Sequence, residues 1–326
     1  MTPAAQNVKS EAPVTEKGSS LWADAFVRLK KNKLAMLGGI IVILILLLCF
    51  IVAPILAAMG WNANAQDLNN RFAGIGGEDH LLGTDQLGRD LFMRVLEGGQ
   101  ISLLVAILAT CMTVTIGVIY GGIAGYVGGK IDTVMMRIVD GLLAMPFLII
   151  VILFRELITG HIDQLAKFLI NDWGWNDNTV LRFANLIPLT IAIALFGWLS
   201  MARIVRSSAA SLAQQEFVEA ARSLGLSHSR ILFRHIVPNM LGPVIIYATL
   251  TIPSFILTEA TLSFIGLGIE PPNSSWGKLI QEGANFLETN ITVLAIPAVM
   301  FSLTLFAFNF LGDGLRDALD PKASKD

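Results

Sequence analysis

Six long apolar stretches interrupt this sequence, and they decide what the chain can fold into. They lie near residues 34–59, 100–126, 133–155, 185–202, 240–265 and 290–312. A backbone group in lipid must find its hydrogen-bond partner within its own segment, so stretches of this length are predicted to be membrane-spanning α-helices. The fourth is the weakest, because Leu186 to Ser200 is short for a full crossing. The predicted fold class is all-α, a polytopic membrane protein with six transmembrane helices.

The composition agrees with a membrane environment. Of the 326 residues, 54% are hydrophobic and 15% are charged, and the mean hydropathy is +0.66. A soluble domain carries about 25% charged residues. The first apolar stretch is longer than the core of a signal peptide, so we expect it to remain as a transmembrane helix. Cys49 and Cys111 lie in apolar stretches and are predicted to be small buried residues.

The positive charges predict an orientation. If the N-terminus is cytoplasmic, 16 of the 23 Lys and Arg residues fall on the cytoplasmic side. The others are Arg71, Arg89, Arg94, Arg155, Lys167, Arg182 and Lys278. Cytoplasmic loops are enriched in Lys and Arg. Both termini are therefore predicted to be cytoplasmic.

The second apolar stretch carries a glycine at every fourth position, at Gly117, Gly121, Gly125 and Gly129. On a helix this spacing produces a smooth groove that a second helix can approach closely. We interpret the glycines as packing positions, since no strand precedes them and no Lys-Ser or Lys-Thr pair follows Gly129.

The sequence lacks the motifs of an ATP-hydrolysing chain. Phosphate-cradling loops read Gly-x4-Gly-Lys-Ser/Thr, and the nearest segments, Gly129-Lys130-Ile131 and Gly277-Lys278-Leu279, lack both the hydroxyl and the glycine spacing. No metal-ligand spacing surrounds any of the four histidines, and no catalytic set is predicted. We therefore expect no enzyme, no metal site and no cofactor in this chain, and any uphill transport would draw energy from a partner chain or an ion gradient.

The loop between the fourth and fifth stretches is the most informative segment. Leu212 to Leu224 is predicted to be a helix with an apolar stripe formed by Phe217, Ala220, Ala221 and Leu224. Gly225 would end it in a left-handed conformation, Ser227 would cap a second helix from His228 to Ile236, and Pro238 would open the fifth span. We call Leu212–Ile236 the elbow. It could fit a partner's groove, or it could rest on its own bundle.

Four segments resemble a known family. Glu219-Ala220-Ala221 followed by Gly225, Ile236, Pro238 and Asn239 resembles the EAA loop of type I ABC importer permeases, which have the MetI-like fold. The other three resemble dipeptide and oligopeptide permeases, and they are His80 to Asp90, Thr258 to Gly277, and Phe308 to Pro321. The resemblance covers roughly residues 22 to 321 and is greatest for the second permease subunit of peptide or nickel importers.

The resemblance implies the partners and the site. We expect a second homologous permease, two cytoplasmic ATPase subunits that bind ATP and Mg, an extracytoplasmic substrate-binding protein, membrane lipid and no nucleic acid. The residues expected to couple the chain to an ATPase are Glu219, Ala220, Ala221, Arg222, Gly225 and His228. Peptides are the expected substrate, with nickel chelates second and oligosaccharides or opines further behind.

The resemblance also implies a domain organisation. A cytoplasmic tail with an amphipathic segment (1–33) precedes the first transmembrane helix (34–59) and an extracytoplasmic segment (60–99). A five-helix core (100–315) follows, with the coupling loop at 208–237 and a cytoplasmic tail at 316–326. The segment near 155–185 is longer than expected for the family. It is predicted to form an amphipathic helix on the outer membrane surface, anchored by Trp173 and Trp175, which contacts the binding protein, roofs the channel or is a spacer.

Two acidic residues in the spans have alternative interpretations. Glu259 could line the translocation path, or it could make a structural hydrogen bond near the outer end of its span. Asp140 lies one helical turn from Arg137 and is predicted to form an ion pair with it. A secondary transporter would need repeated broken helices and several buried acids, which the sequence does not show.

Overall fold

The computed structural model describes residues 21–76, 80–271 and 273–319, and these ranges are mainly helical, with an irregular segment between residues 59 and 90. The α-helices are α1 (Leu21–Lys31), α2 (Lys33–Leu47), α3 (Ala53–Ala58), α4 (Leu91–Val127), α5 (Gly129–Leu143), α6 (Phe147–Asn171), α7 (Asp177–Leu212), α8 (Glu216–Ser223), α9 (His228–Ile231), α10 (Val237–Asn239), α11 (Leu241–Phe264), α12 (Trp276–Ala284) and α13 (Thr292–Leu319). π-helical turns at Leu48–Val52 and Leu232–Ile236 join α2 to α3 and α9 to α10. The predictions for residues 1–20 and for the C-terminal residues after 319 lie outside the described residues.

Within the described ranges, five helices are long and apolar enough to cross a membrane, and the number is six if the bent pair α5–α6 is one span. The all-α polytopic prediction is confirmed. The fourth stretch, predicted to be the shortest, belongs to the 36-residue helix α7. The more polar residues on both sides of this stretch are helical as well. The helix begins directly after Asn176, whose side chain accepts a hydrogen bond from the backbone N–H of Thr179.

The third stretch is not one straight helix. α5 and α6 meet at an angle of 93°, and Pro146, which has no N–H to donate, stands immediately before α6. The bend places α5 beside α7, where Asp140 accepts a hydrogen bond from Arg203 at 2.5 Å and Asp132 pairs with Arg206. The predicted pair of Asp140 with Arg137 is therefore wrong, because the acid finds its partner on another helix.

The segment near 155–185 does not form a separate surface helix. α6 continues without a break to Asn171 and packs antiparallel to the start of α7, with Ala166 against Val180 and Ala184. Trp173 and Trp175 are exposed in the turn of this helical hairpin, and their ring centroids are 6.5 Å apart. The prediction failed because the apolar spacing after residue 155 continues the period of the preceding span.

Helices α4 and α7 run parallel and form the most extensive helix pair of the bundle. A Cβ on Gly117 would lie 2.4 Å from the side chain of Met201, and one on Gly121 would lie 2.3 Å from the carbonyl oxygen of Ala202. Gly125 makes a similar approach one turn later. The predicted glycine groove is confirmed for these three glycines, whereas Gly129 lies in the turn that begins α5.

Helix α12 packs against α4, α11 and α13 near the N-terminal end of α4, which is the end of the bundle opposite the elbow. Its Trp276 is fully buried, and the indole N–H donates a hydrogen bond to the carbonyl oxygen of Val95 at 2.9 Å. Cys49 is buried as predicted, but Cys111 is exposed on the surface of α4, so that half of the cysteine prediction is wrong.

Candidate coupling site

The elbow begins later than predicted. α7 runs to Leu212, the chain turns through residues 213–215, and α8 starts at Glu216. The predicted helix from Leu212 to Leu224 is therefore shorter than expected, because Leu212 is the last residue of α7 and only Glu216–Ser223 forms the separate helix. α8 is an eight-residue helix that projects from the bundle beyond the end of α7.

The two faces of α8 differ in burial. Val218 and Ala221 are buried in a cluster with Met201 and Val205 of α7. On the other face, Phe217 is 41% exposed and Leu224 is 80% exposed. The predicted apolar stripe is thus divided, because Ala221 packs inward while its other members face outward. α8 rests on its own bundle and still presents an apolar surface.

Three of the residues predicted to couple the chain to an ATPase are exposed on α8. They are Glu219, Ala220 and Arg222. Among the residues that the structure describes, the Glu219 carboxylate has no hydrogen-bond or ion-pair partner, and it is exposed. Of the two alanines predicted to form a close-approach surface, Ala220 is exposed and Ala221 is buried.

Gly225 ends α8 as predicted. Its φ of 74° is in the left-handed region that favours glycine. The N–H of Leu226 donates to the carbonyl oxygen of Ala221 at 3.2 Å, and the N–H of Gly225 donates to that of Arg222 at 2.9 Å. These two bonds close the C-terminal turn of the helix. α9 then starts at His228, directly after Ser227, and continues as a π-helical turn to Ile236, so the predicted second helix of the elbow is present. The predicted cap is wrong in one respect, because the Ser227 side chain makes no capping hydrogen bond.

One side chain of α4 fastens the elbow to the bundle. Tyr126, in the last turn of α4, is 6% exposed. Its hydroxyl oxygen lies 2.8 Å from Nδ1 of His228, and the guanidinium carbon of Arg222 lies 5.3 Å from the centre of its ring. A cation at that distance over an aromatic face is attracted to it. Tyr126 therefore contacts both helices of the elbow, a role that the sequence did not indicate.

A buried ionic cluster lies at the opposite end of α4. The carboxylate of Asp85 is fully buried and accepts hydrogen bonds from Arg89 at 2.7 Å and from Arg94 at 2.6 Å. Arg94 also donates to Glu282 of α12 at 2.9 Å. In the same segment His80 pairs with Asp90, whose side chain caps α4. The segment from His80 to Asp90 is thereby fixed between α4 and α12.

Glu259 is the centre of a second buried network. Its side chain is fully buried, and its two carboxylate oxygens accept hydrogen bonds from Ser102 at 2.8 Å and from Ser263 at 2.6 Å. Ser102 also accepts a bond from the backbone N–H of Trp276. The network joins α4, α11 and α12. This geometry favours the structural hydrogen bond over the path-lining alternative for Glu259 in this conformation.

The described residues contain no group of three or more His, Cys, Asp or Glu side chains that could hold a metal ion. The buried acids are instead occupied by arginine and serine partners.

Comparison with known proteins gives a consistent result along the chain. Residues 114–325 match the model of the family described as binding-protein-dependent transport system inner membrane component. Residues 20–74 match the N-terminal TM domain of oligopeptide transport permease C.

Several curated relatives are similar over nearly their whole length. The oligopeptide transport system permease protein OppC of Bacillus subtilis is 40% identical over 327 residues, which cover 99% of this chain and 97% of the relative. OppC of Escherichia coli K12 is 42% identical, with 94% and 92% covered. The dipeptide transport system permease protein DppC of B. subtilis is 40% identical, with 92% and 85% covered.

Proposed function

Because this chain belongs to the family of binding-protein-dependent transport system inner membrane components, we propose that it is the permease subunit of an ATP-driven importer of dipeptides and oligopeptides. The observation that carries the proposal is the exposed outer face of α8, held to the bundle by Tyr126. Relatives of similar length that are named as oligopeptide or dipeptide permeases support the substrate class.

The proposal assigns an orientation and a set of partners. The excess of Lys and Arg near the elbow supports an orientation in which the elbow and both termini would be cytoplasmic. Two ATPase subunits would bind there, a second permease would complete the path within the membrane, and a substrate-binding protein would dock on the opposite side. ATP and Mg would be bound by the ATPase subunits, so this chain would transport without hydrolysing ATP.

The geometry supports a mechanical mechanism. Closure of the ATPases would push α8 through Glu219, Ala220 and the exposed Phe217. Val218 and Ala221 would pass the movement to α7, and Tyr126 would pass it to α4. Because Gly117, Gly121 and Gly125 allow α4 to pack closely against α7, the two helices would move together.

Two alternatives differ in measurable ways. A nickel or other small-solute permease of the same family would keep the ATPase dependence but respond to a different ligand. A secondary transporter would work without ATPase subunits. The elbow favours the ATP-driven importer, because an ion-driven protein would have no use for an exposed docking helix.

The experiment is reconstitution of the complete transporter in liposomes. Dipeptides and peptides of up to five residues, added with the binding protein, are expected to stimulate ATP hydrolysis and to accumulate inside. Stimulation by a nickel chelate alone would assign the second substrate class. Accumulation in vesicles that lack the ATPases but carry an ion gradient would refute the proposal.

A further inference from the structure

A cavity of about 430 Å³ lies beside the bend between α5 and α6. Its walls come from the bend itself, from α7 and from α11. The side chains that line it are Leu143, Met145, Phe147, Phe196, Ser200, Tyr247, Leu250, Thr251, Ser254 and Phe255, together with Gly197. The cavity exists because α5 turns away from α6 by 93° and leaves the facing side of α11 uncovered.

The part of α11 in this cavity begins a stripe of hydroxyl side chains. Tyr247, Thr251, Ser254, Thr258 and Thr261 follow one another at intervals of four and three residues. At about 100° of rotation per residue, the five positions fall within about 80° of the helix circumference. We call them the hydroxyl stripe. It runs from the cavity to the end of α11 that lies opposite the elbow, and Ser254 and Thr261 are exposed.

Four of the five hydroxyls of the stripe donate their hydrogens to backbone carbonyl oxygens of α11. Thr251 donates to the carbonyl oxygen of Tyr247 at 2.7 Å, Thr258 to that of Ser254 at 2.8 Å, and Thr261 to that of Leu257 at 2.8 Å. Ser254 makes the same kind of bond at 3.5 Å. A hydroxyl that donates its hydrogen retains lone pairs that accept hydrogen bonds. The stripe therefore presents acceptors to whatever passes it, without any formal charge.

The hydroxyl stripe is separate from the buried network around Glu259. Glu259 and Ser263 face α4 and α12, and both positions lie more than about 100° around the helix from the centre of the stripe. The exposed apolar side chain of Leu257 lies on the other side of the stripe. The stripe is thus a distinct polar face of a membrane helix, and such faces point to a protein partner or a water-filled path.

We infer that the hydroxyl stripe of α11 and the cavity at the α5–α6 bend form the surface on which this chain contacts the peptide during translocation. A peptide carries a backbone N–H at nearly every residue and an N-terminal ammonium group, all of which are donors. Neutral acceptors at regular spacing serve these groups whatever the side chains are, and the apolar cavity wall accepts the side chains. The inference rests on the proposed function, since it names where the transported peptide would bind.

The first test is thiol accessibility in the assembled transporter, using a variant that carries Cys111→Ala because Cys111 is exposed. Ser254→Cys and Thr258→Cys are expected to react with a membrane-impermeant thiol reagent at least about tenfold faster than Ile43→Cys, whose side chain is exposed on the apolar helix α2. Thiols need water to ionise. Stripe thiols that react no faster than the Ile43→Cys thiol would overturn the inference.

The second test is peptide uptake by the triple variant Thr251→Val, Ser254→Ala and Thr258→Val, with trialanine as the probe. We expect uptake about tenfold below wild type with assembly and basal ATP hydrolysis retained, because several hydrogen bonds are lost together. Thr249→Val is the matched control, since Thr249 makes the same backbone bond on the other face of α11. Unchanged uptake in the triple variant overturns the peptide contact even where the thiols react. If wild type itself imports no peptide, the proposed function fails instead.

Discussion

The hydroxyl oxygen of Tyr126 lies 2.8 Å from Nδ1 of His228, and this bond joins the last turn of α4 to the first turn of α9. The same ring faces the guanidinium group of Arg222 on α8. Among the residues that the structure describes, no other side-chain hydrogen bond links α4 to the elbow. The contact therefore offers a direct test of how the elbow acts on the membrane helices.

Tyr126→Phe removes the bond to His228 and keeps the ring beneath Arg222. We expect a loss of about 0.5–1.5 kcal/mol in the attachment of the elbow, seen as fewer peptides transported per ATP hydrolysed. Tyr126→Ala should lower the ratio further because it also removes the cation–π contact. Tyr120→Phe is the matched control, since the Tyr120 hydroxyl donates to Met135 of α5 far from the elbow. An equal drop in the ratio for Tyr120→Phe would show that Tyr126 has no special role.

Gly225→Pro is expected to uncouple ATP hydrolysis from transport while the protein stays in the membrane. Proline fixes φ near −65°, whereas Gly225 has φ of 74°, and it removes the N–H that donates to Arg222. Gly225→Asn should retain most of the coupling, because asparagine tolerates the left-handed region better than other residues. Measuring uptake and ATPase rate on the same liposomes checks both. Normal uptake by the proline variant would argue against the docking role of the elbow.

Glu259→Ala should destabilise the protein by about 1–3 kcal/mol, because it leaves the hydroxyls of Ser102 and Ser263 without their buried acceptor. Glu259→Gln should cost less, since its carbonyl oxygen still accepts one of the bonds. Thermal unfolding in nanodiscs distinguishes the two variants. If Glu259→Gln abolished uptake without changing the unfolding temperature, the carboxylate would have a role in the path after all.

Asp85→Asn is expected to cost about 1–3 kcal/mol, because the buried carboxylate that pairs with Arg89 and Arg94 becomes a neutral amide while both arginines keep their contacts with Glu282. Arg203→Gln is the contrasting control. Arg203 and its partner Asp140 are both about half exposed, so the loss of this pair should cost less than about 1 kcal/mol. Unfolding temperature, together with protease sensitivity of the segment before α4, measures the difference. Similar small effects for both variants would mean that the cluster around Asp85 is not a stabilising one.

Gly121→Ala should destabilise the bundle by about 1–3 kcal/mol, since its methyl group would collide with the backbone of Ala202. Gly122→Ala, one residue along the same helix, is the control, because a Cβ there meets only ordinary contacts at 3.5 Å or more. Alanine is also the better helix former, so this variant should be neutral or stabilising. The unfolding temperatures of the two variants should move in different directions relative to wild type.

The features that the sequence predicted correctly depend on residues that are close together along the chain. Gly225 could be assigned because a helix end with a left-handed residue depends on a few neighbouring residues, and the glycine groove could be assigned from its spacing alone. The bend before Pro146 could not, because apolar residues on both sides of it form one continuous hydropathy signal. Tyr126 was missed for a different reason. Its partner His228 is 102 residues away along the chain, and no local sequence pattern indicates a contact between segments so far apart.

Helix α4 is a single unbroken rod of 37 residues, about 55 Å long at 1.5 Å per residue. Tyr126 joins one end of α4 to the elbow, and Arg94 joins the other end to Asp85 and Glu282. An unbroken helix would transmit a movement applied at one end to the other end. In the proposed cycle, any change of shape would then have to occur elsewhere in the bundle, and the 93° bend between α5 and α6 at Pro146 is an existing break in helical structure at which it could occur.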